Sequence, residues 1–151
     1  MGNKRTPPPQ DYMKYWRVVR YYVKIKYKLS TADLDMLLFL FSENYFNKSK
    51  FLEFNELTSW DPNRFYRLLK QGWIVKFRER KGREATLYEI SYKGKRMVQS
   101  VYDKLNGDEI SENRSVNPMF LKNVNYEDKV YRNFIKKMNE TTRQQQRLSQ
   151  Q

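Results

Sequence analysis

The sequence predicts a mostly helical α+β domain with one small β-hairpin, and three observations carry that prediction. Apolar residues recur at three- and four-residue spacing through most of the 151-residue chain, the period of a helix with one buried face. The stretch 73–90 departs from it, taking up the alternation and the aromatic and β-branched content of strands. Helix punctuation stands around both: Asp61-Pro62 and Ser91 before two periodic segments, Gly72 and Gly107 just past their ends.

Taken in order, the central segment Thr58–Arg96 organises the rest. Asp61 is placed to accept the first free backbone N–H groups of a helix, and Pro62 suits the first helical position, where its missing N–H costs nothing. A helix over 62–71 puts Phe65, Leu68 and Leu69 on one face and Asn63, Arg64, Arg67 and Lys70 largely on the others. Gly72 ends it, since glycine takes the left-handed conformation without a steric penalty. Two short strands follow. In the first, Trp73, Val75 and Phe77 alternate with Ile74, Lys76 and Arg78; the second is Ala85–Ile90. Between them, Glu79–Glu84 is a glycine-containing turn with three cations, Arg80, Lys81 and Arg83. Glu79 and Glu84 are expected to pair with basic neighbours, for about 0–1 kcal/mol. Ser91 then signals a helix with Val98, Val101, Tyr102 and Leu105 at helical spacing. Helix, glycine, basic-tipped hairpin, helix is the order of a winged helix-turn-helix. The first helix would enter a DNA major groove and the hairpin tip an adjacent backbone or minor groove.

The same residues resemble a family. Lys81–Lys95 (KGREATLYEISYKGK) is similar to the wing of MarR-type transcriptional regulators, in which a basic turn with an arginine precedes a strand. There a Leu/Ile-Ser/Thr-x-x-Gly-Lys/Arg segment opens the next helix, and Ile90-Ser91-Tyr92-Lys93-Gly94-Lys95 fits that pattern. Arg83 falls at the family's wing-tip arginine, and Leu68–Ile74 (LLKQGWI) resembles its recognition-helix exit. The acidic residue that the family commonly carries two positions before the wing arginine is Lys81 here. The resemblance covers about residues 12–107. It implies a homodimer built by the N- and C-terminal helices.

Composition narrows the partners. Thirty Lys/Arg against 17 Asp/Glu give a net charge of +13, which favours polyanions, nucleic acid before anionic membrane. Residues 1–105 hold 22 of the cations against 11 acids. Without cysteine or histidine, a disulfide scaffold, a Cys/His zinc site, a thiol nucleophile and a Ser-His-Asp triad are excluded. Glycine-rich phosphate loops and recognisable catalytic acid pairs are missing, so the chain reads as no enzyme, with no cofactor or metal. No apolar run approaches the ~20 residues that span a bilayer, and no secretory signal is visible. Met1–Thr6 formally fits an N-myristoylation pattern. A cytoplasmic setting, in a bacterium or a virus-infected cell, or a place in a virion follows as an expectation.

Outside the centre, residues 1–10 (MGNKRTPPPQ) read as a flexible basic, proline-rich tail. A domain over 11–107 begins with a helix capped by Asp11 and running to about Tyr27, with Tyr12, Tyr15, Trp16, Val19, Tyr22 and Val23 on one broad face. Its Lys14, Arg17, Lys24 and Lys28 form a basic stripe, either solvated or set on phosphates. Ser30 caps a helix whose run Leu34–Phe41 is apolar nearly all round and belongs in the core. Residues 42–50 read as a loop, and Phe51–Leu57 as either the first helix of the helix-turn-helix or a strand leading into it. Trp60 and Trp73 are expected to pack under the helix between them. Residues 108–125 read as a linker with a small apolar anchor at Met119-Phe120-Leu121. A last helix over 126–142 carries Val130, Phe134 and Met138 on one face, and 143–151 reads as a disordered tail.

For a DNA interface, Asn63, Arg64 and Arg67 are the candidate base readers, each good bidentate pair being worth about 1–3 kcal/mol of discrimination. Lys70 and Gln71 fall later and suit the backbone. Thr58 and Ser59 are candidates for phosphate from the turn, and Arg80, Lys81 and Arg83 from the wing. Two functions compete: a dimeric transcriptional regulator on double-stranded DNA, and a phage-type virion, packaging or assembly protein using the winged helix as a docking module. In the second, 108–125 or the C-terminal tail would meet a protein partner. Membrane-surface binding by the basic first helix comes third, and RNA would answer the same charge.

Overall fold

The computed structural model describes residues 11–150, so the expected tail over 1–10 and the terminal Gln151 lie outside the described residues. The described residues are mostly helical with a two-stranded antiparallel hairpin: α1 (Tyr12–Tyr27), α2 (Thr31–Phe41), α3 (Lys48–Leu57), α4 (Arg64–Lys70), β1 (Ile74–Arg78), β2 (Leu87–Ile90), α5 (Tyr92–Leu105), a 3-10 turn (Pro118–Phe120) and α6 (Tyr126–Ser149). No helix among them is long and apolar enough to cross a membrane. The chain divides into two compact units, Leu29–Ser100 and the segments before and after it, with α5 passing from one to the other along the chain. The first helix falls in the unit that also holds the segment after Ser100.

In Leu29–Ser100 the core is built from Leu34, Met36, Leu37 and Leu40 of α2, joined by Phe51, Phe65, Leu68, Trp73, Ile74, Ile90, Met97 and Val98. The Phe65 ring meets those of Phe51 and Tyr88 edge-on, at 5.1 and 5.0 Å between centroids, the geometry that the ring quadrupole favours. Ser30 caps α2 by accepting the Asp33 N–H at 3.1 Å, and Asn47 caps α3 through the Lys50 N–H at 2.8 Å. The stretch 42–50 is thus only partly loop: α3 begins within it, and Phe46 makes an antiparallel bridge to Tyr88, with backbone hydrogen bonds of 3.0 and 2.8 Å. One bridging residue is too few for an alternating pattern to show.

The central helix is one turn shorter than expected. Asp61 accepts the Asn63 N–H at 2.9 Å and so spends its cap on a turn, and α4 starts at Arg64 rather than at Pro62. Its exit follows the expectation. Gly72, at φ +78°, lets its own N–H reach Leu69 O (3.1 Å) and the Trp73 N–H reach Leu68 O (2.9 Å), a Schellman ending. Strand β1 pairs Ile74 with Ile90, Val75 with Glu89 and Lys76 with Tyr88; a bulge then leaves Phe77 unpaired before Arg78 meets Leu87. The expected burial alternation fails there: Trp73 and Ile74 are both buried, and Val75 and Phe77 both face solvent. Trp60, expected in the core, is 59% exposed.

The hairpin meets α5 at the carbonyl of Trp73, which accepts the Ser91 N–H at 2.9 Å. Ser91 Oγ in turn accepts the Gly94 N–H at 3.1 Å, and a Cβ on Gly94 would stand 3.0 Å from that carbonyl and overlap the Ile90 methyl. Only glycine lets the helix lie this close.

The other unit packs α1 against α6 and the 3-10 turn, burying Val18, Val19, Tyr22, Val23, Ile110, Met119, Ile135 and Met138. The apolar anchor in the expected linker thus docks on its own unit through Met119. Buried Asn139 holds the segment 108–117 in place: its amide donates to Ile110 O at 2.7 Å and accepts from the Ile110 N–H at 3.0 Å. Tyr21 stacks on Tyr131 at 3.9 Å and donates a short hydrogen bond to the Asp128 carboxylate. Burial, together with that bond, pushes the Tyr21 phenol well above its ordinary range. The expected disordered tail is instead helical to Ser149. Arg143 ties it at 2.5 Å to Glu109 and 3.1 Å to Glu112, and Gln, Arg and Leu are all good helix formers.

Substituting Gly94→Ala should cost about 1–3 kcal/mol by overpacking against Trp73 and Ile90. Asn139→Ala should cost a similar amount by orphaning the buried Ile110 peptide. Urea unfolding of each variant checks both values.

Candidate nucleic-acid interface

The interface expected from the sequence lies wholly within Leu29–Ser100, around α4 and the hairpin. Its structure begins inside α2, where Asp33 is an acid in the most apolar helix of the chain, 5% exposed. A buried carboxylate needs charged or hydrogen-bonding partners. Arg64 supplies one at 2.8 Å through Nε, and Arg67 supplies two, from Nε at 3.1 Å and Nη2 at 2.8 Å.

Arg64 is itself 2% exposed, and every nitrogen of its guanidinium is occupied. Nη1 donates to Asn55 Oδ1, Thr58 Oγ1 (3.2 Å) and Ser59 O (2.7 Å), and Nη2 to Ser59 Oγ (3.3 Å). Asn55 completes the cluster by donating to Asp61 O at 3.0 Å. Arg67 spans Asp33 and Asp61, reaching Asp61 Oδ2 at 2.9 Å. Its hydrogen bonds to Asp33 and then Asp61 push its pKa further above the ordinary arginine value. Asp61 is held below the usual carboxylate range, first by the Asn63 N–H and then by Arg67.

Two of the expected base readers are thereby corrected. Arg64 is interior because it stands one turn before buried Leu68, on the face that α4 turns toward α2 and α3. Arg67 is committed to two carboxylates, with about a third of its side chain exposed. Thr58 and Ser59, expected to meet phosphate, are turned to Arg64.

What remains outward on α4 is Asn63, Tyr66 and Lys70, with Gln71 just beyond. Asn63 makes no capping bond with its side chain. Lys48, which the sequence reading passed over, lies 4.6 Å from the centre of the Tyr66 ring and donates to its hydroxyl at 2.5 Å. Lys93 reaches across from α5 to Gln71 O at 3.1 Å and lies 4.0 Å over the Trp73 ring.

On the hairpin the expected acid pairing is present, Lys76 with Glu79 at 2.6 Å and Arg78 with Glu84 at 3.2 Å. The tip closes between Lys81 and Glu84 with backbone hydrogen bonds of 3.1 and 3.0 Å. Of its two central residues only Gly82 has positive φ (+61°), the signature of a type II′ turn. Arg80 braces it through Gly82 O at 3.2 Å. Lys81 and Arg83 are exposed and, like Lys70, have no ion pair among the described residues.

Leu29–Ser100 carries 13 Lys/Arg against 9 Asp/Glu, and the rest of the chain 17 against 8. The larger share of the excess therefore lies outside the unit that holds α4 and the hairpin. Among the described residues, no group of three or more His, Cys, Asp or Glu gathers to hold a metal ion. No family model, no curated protein and no solved structure matches the chain.

Asp33→Ala should destabilise by about 3–5 kcal/mol, because it strands Arg64 without its charge partner in the interior. Adding Arg64→Met should recover part of that loss, a coupling that a double-mutant cycle measures. For Asp61, the native carboxylate binds fewer protons than the unfolded one, so its contribution is present above the ordinary value of 3.8 and lost as pH falls below it. Urea midpoints should fall as the pH is lowered below about 4, with part of the slope absent in Asp61→Asn.

Proposed function

We propose that Leu29–Ser100 is a winged helix-turn-helix that binds double-stranded DNA, with α4 in the major groove and the 79–84 wing on the adjacent backbone or minor groove. The observation that carries the reading is the wing: a braced, type II′ tip holding Lys81 and Arg83 without acidic partners, in the same unit as the α3–turn–α4 pair. The order α2, Phe46 bridge, α3, α4, hairpin supports it, since each element falls where a winged helix uses it. Such cations displace condensed counterions from phosphate, and affinity follows the number displaced.

The role that best fits is a MarR-like transcriptional regulator acting as a homodimer. The two segments that carry the resemblance, Leu68–Ile74 and Lys81–Lys95, join at the Trp73 carbonyl through Ser91 and Gly94. In the other unit, α1 and α6 leave between them an apolar groove of about 500 Å³, walled by Val18, Val130, Phe134 and Met138, with Phe134 53% exposed. A second copy meeting this groove would bury that ring. A docking role in a virion or assembly is the second reading, favoured by exposed Trp60 and by the solvent-facing Tyr45–Phe77 stack at 4.1 Å.

Binding of the full chain to a pool of random duplexes, followed by sequencing of what is retained, tests the first reading. Retention should be salt-dependent, and Lys81→Ala with Arg83→Ala should reduce the salt slope by about 2 for each bound protomer. Absence of retention at low salt would turn the assignment to the docking role. Phe134→Asp should convert a dimer to monomer in sedimentation velocity; an unchanged dimer would place the interface elsewhere.

A further inference from the structure

The excess of cations is larger where the winged-helix reading makes no use of it. The segments before Leu29 and after Ser100 hold 9 more Lys/Arg than Asp/Glu, against 4 more in Leu29–Ser100. We propose that this second unit carries a nucleic-acid site of its own, a row of cations along α6 that binds the phosphate backbone of duplex DNA without reading its sequence. The proposal rests on the reading above for its partner, the duplex, but not for its surface.

The row follows from helical geometry. At 3.6 residues per turn, Lys129, Arg132, Lys136, Arg143 and Arg147 fall within about 60° of one another around α6. Glu140 is the one acid between residues 129 and 150, which hold six cations. Arg143 is spent on Glu109 and Glu112. The other four have no ion pair among the described residues, and Lys129, Lys136 and Arg147 are exposed. Arg132 and Lys136 each lie 6.0 Å from the centre of the Phe120 ring, a cation–π contact that orders two long side chains before any partner arrives.

The length of the row suits a backbone. From Lys129 to Arg147 it runs about 27 Å at 1.5 Å per residue. One strand of B-DNA sets a phosphate about every 3.4 Å along its axis, so the row can face several at once. Two other polyanionic surfaces fit less well. A lipid surface takes up a helix by its apolar face, and that face of α6 is already buried through Ile135 and Met138 against its own unit. A protein partner needs an apolar or aromatic anchor, yet no apolar side chain of α6 falls within the row, exposed Phe134 standing on another side of the helix. Charge without an anchor or a base-reading element is the chemistry of sequence-independent phosphate binding.

Affinity of the full chain is measured across a range of salt on two duplexes of equal length, one retained by selection and one of unrelated sequence. Lys129→Gln, Arg132→Gln, Lys136→Gln and Arg147→Gln together should lower the salt slope by about 3–4 for each bound protomer on both duplexes, leaving the ratio of the two affinities unchanged. Neutralising Arg20, Lys24, Lys28 and Arg114 to glutamine removes the same charge from the same unit and should lower the slope by less than about 1. Equal losses in the two variants make the effect one of net charge and overturn the proposal. An unchanged slope in the α6 variant, or a loss confined to the retained sequence, also overturns it. Glutamine is a good helix former, so the variants should fold as the parent does, which circular dichroism checks. The milder pair Lys129→Gln with Arg147→Gln leaves both Phe120 contacts in place and should lose about half as much slope. If the parent binds both duplexes alike and the α6 variant binds neither, the α6 site stands and the winged-helix reading falls. No binding of the parent to either duplex at low salt overturns both.

Discussion

One carboxylate, that of Asp33, decides how three helices of the central unit meet. It leaves the first turn of α2, the most apolar helix of the chain, and it is met there by Arg64 and Arg67 from α4. Asn55 of α3 and the turn residues Thr58 and Ser59 take up the remaining donors of Arg64. Buried ion pairs stabilise little when any of their hydrogen-bonding capacity is left open, and much of their value lies in fixing one arrangement against others. Here each guanidinium nitrogen of Arg64 finds an acceptor, so the arrangement of α2, α3 and α4 is specified by polar geometry as well as by the surrounding apolar core. The same contact also sets the surface. Guanidinium groups held inward cannot meet a partner, and the outer face of α4 is left to an amide, a phenol and an ammonium.

A second constraint acts at the other end of α4. The Schellman ending at Gly72 delivers Trp73 with its N–H tied back to Leu68 and its carbonyl turned to the start of α5. Ser91 binds that carbonyl, and Gly94 passes close beside it. Helix exit, hairpin and next helix are therefore joined through one peptide group, which fixes the base of the hairpin while its tip stays in solvent.

Much of this was legible in the sequence where the cause is local. Asp11 and Ser30 as caps, Gly72 as a helix stop, Ser91 as a helix start and the pairing of Glu79 and Glu84 with neighbouring cations all depend on residues a few positions apart. What escaped depends on distant partners. A helical wheel places an arginine outside by default, and nothing within reach of Arg64 along the chain names Asp33, 31 positions earlier. The available signal was the acid itself, since an aspartate in so apolar a helix calls for a cation from elsewhere. Trp60 misled for the opposite reason: its size argues for burial, but the turn it occupies faces outward. Polarity alone argues for disorder in the C-terminal stretch, whereas Arg143 finds Glu109 and Glu112 on a segment more than thirty residues away.

The bridge from Phe46 to Tyr88 has a consequence for solubility. A two-stranded hairpin alone would expose hydrogen-bonding groups along both sides, each a template on which another chain can add a strand. Phe46 covers the β2 side, which leaves β1 as the open edge. That edge is five residues long, interrupted by the unpaired Phe77 and flanked by Lys76 and Arg78. Short length, a bulge and like charges are the features that discourage strand-to-strand growth.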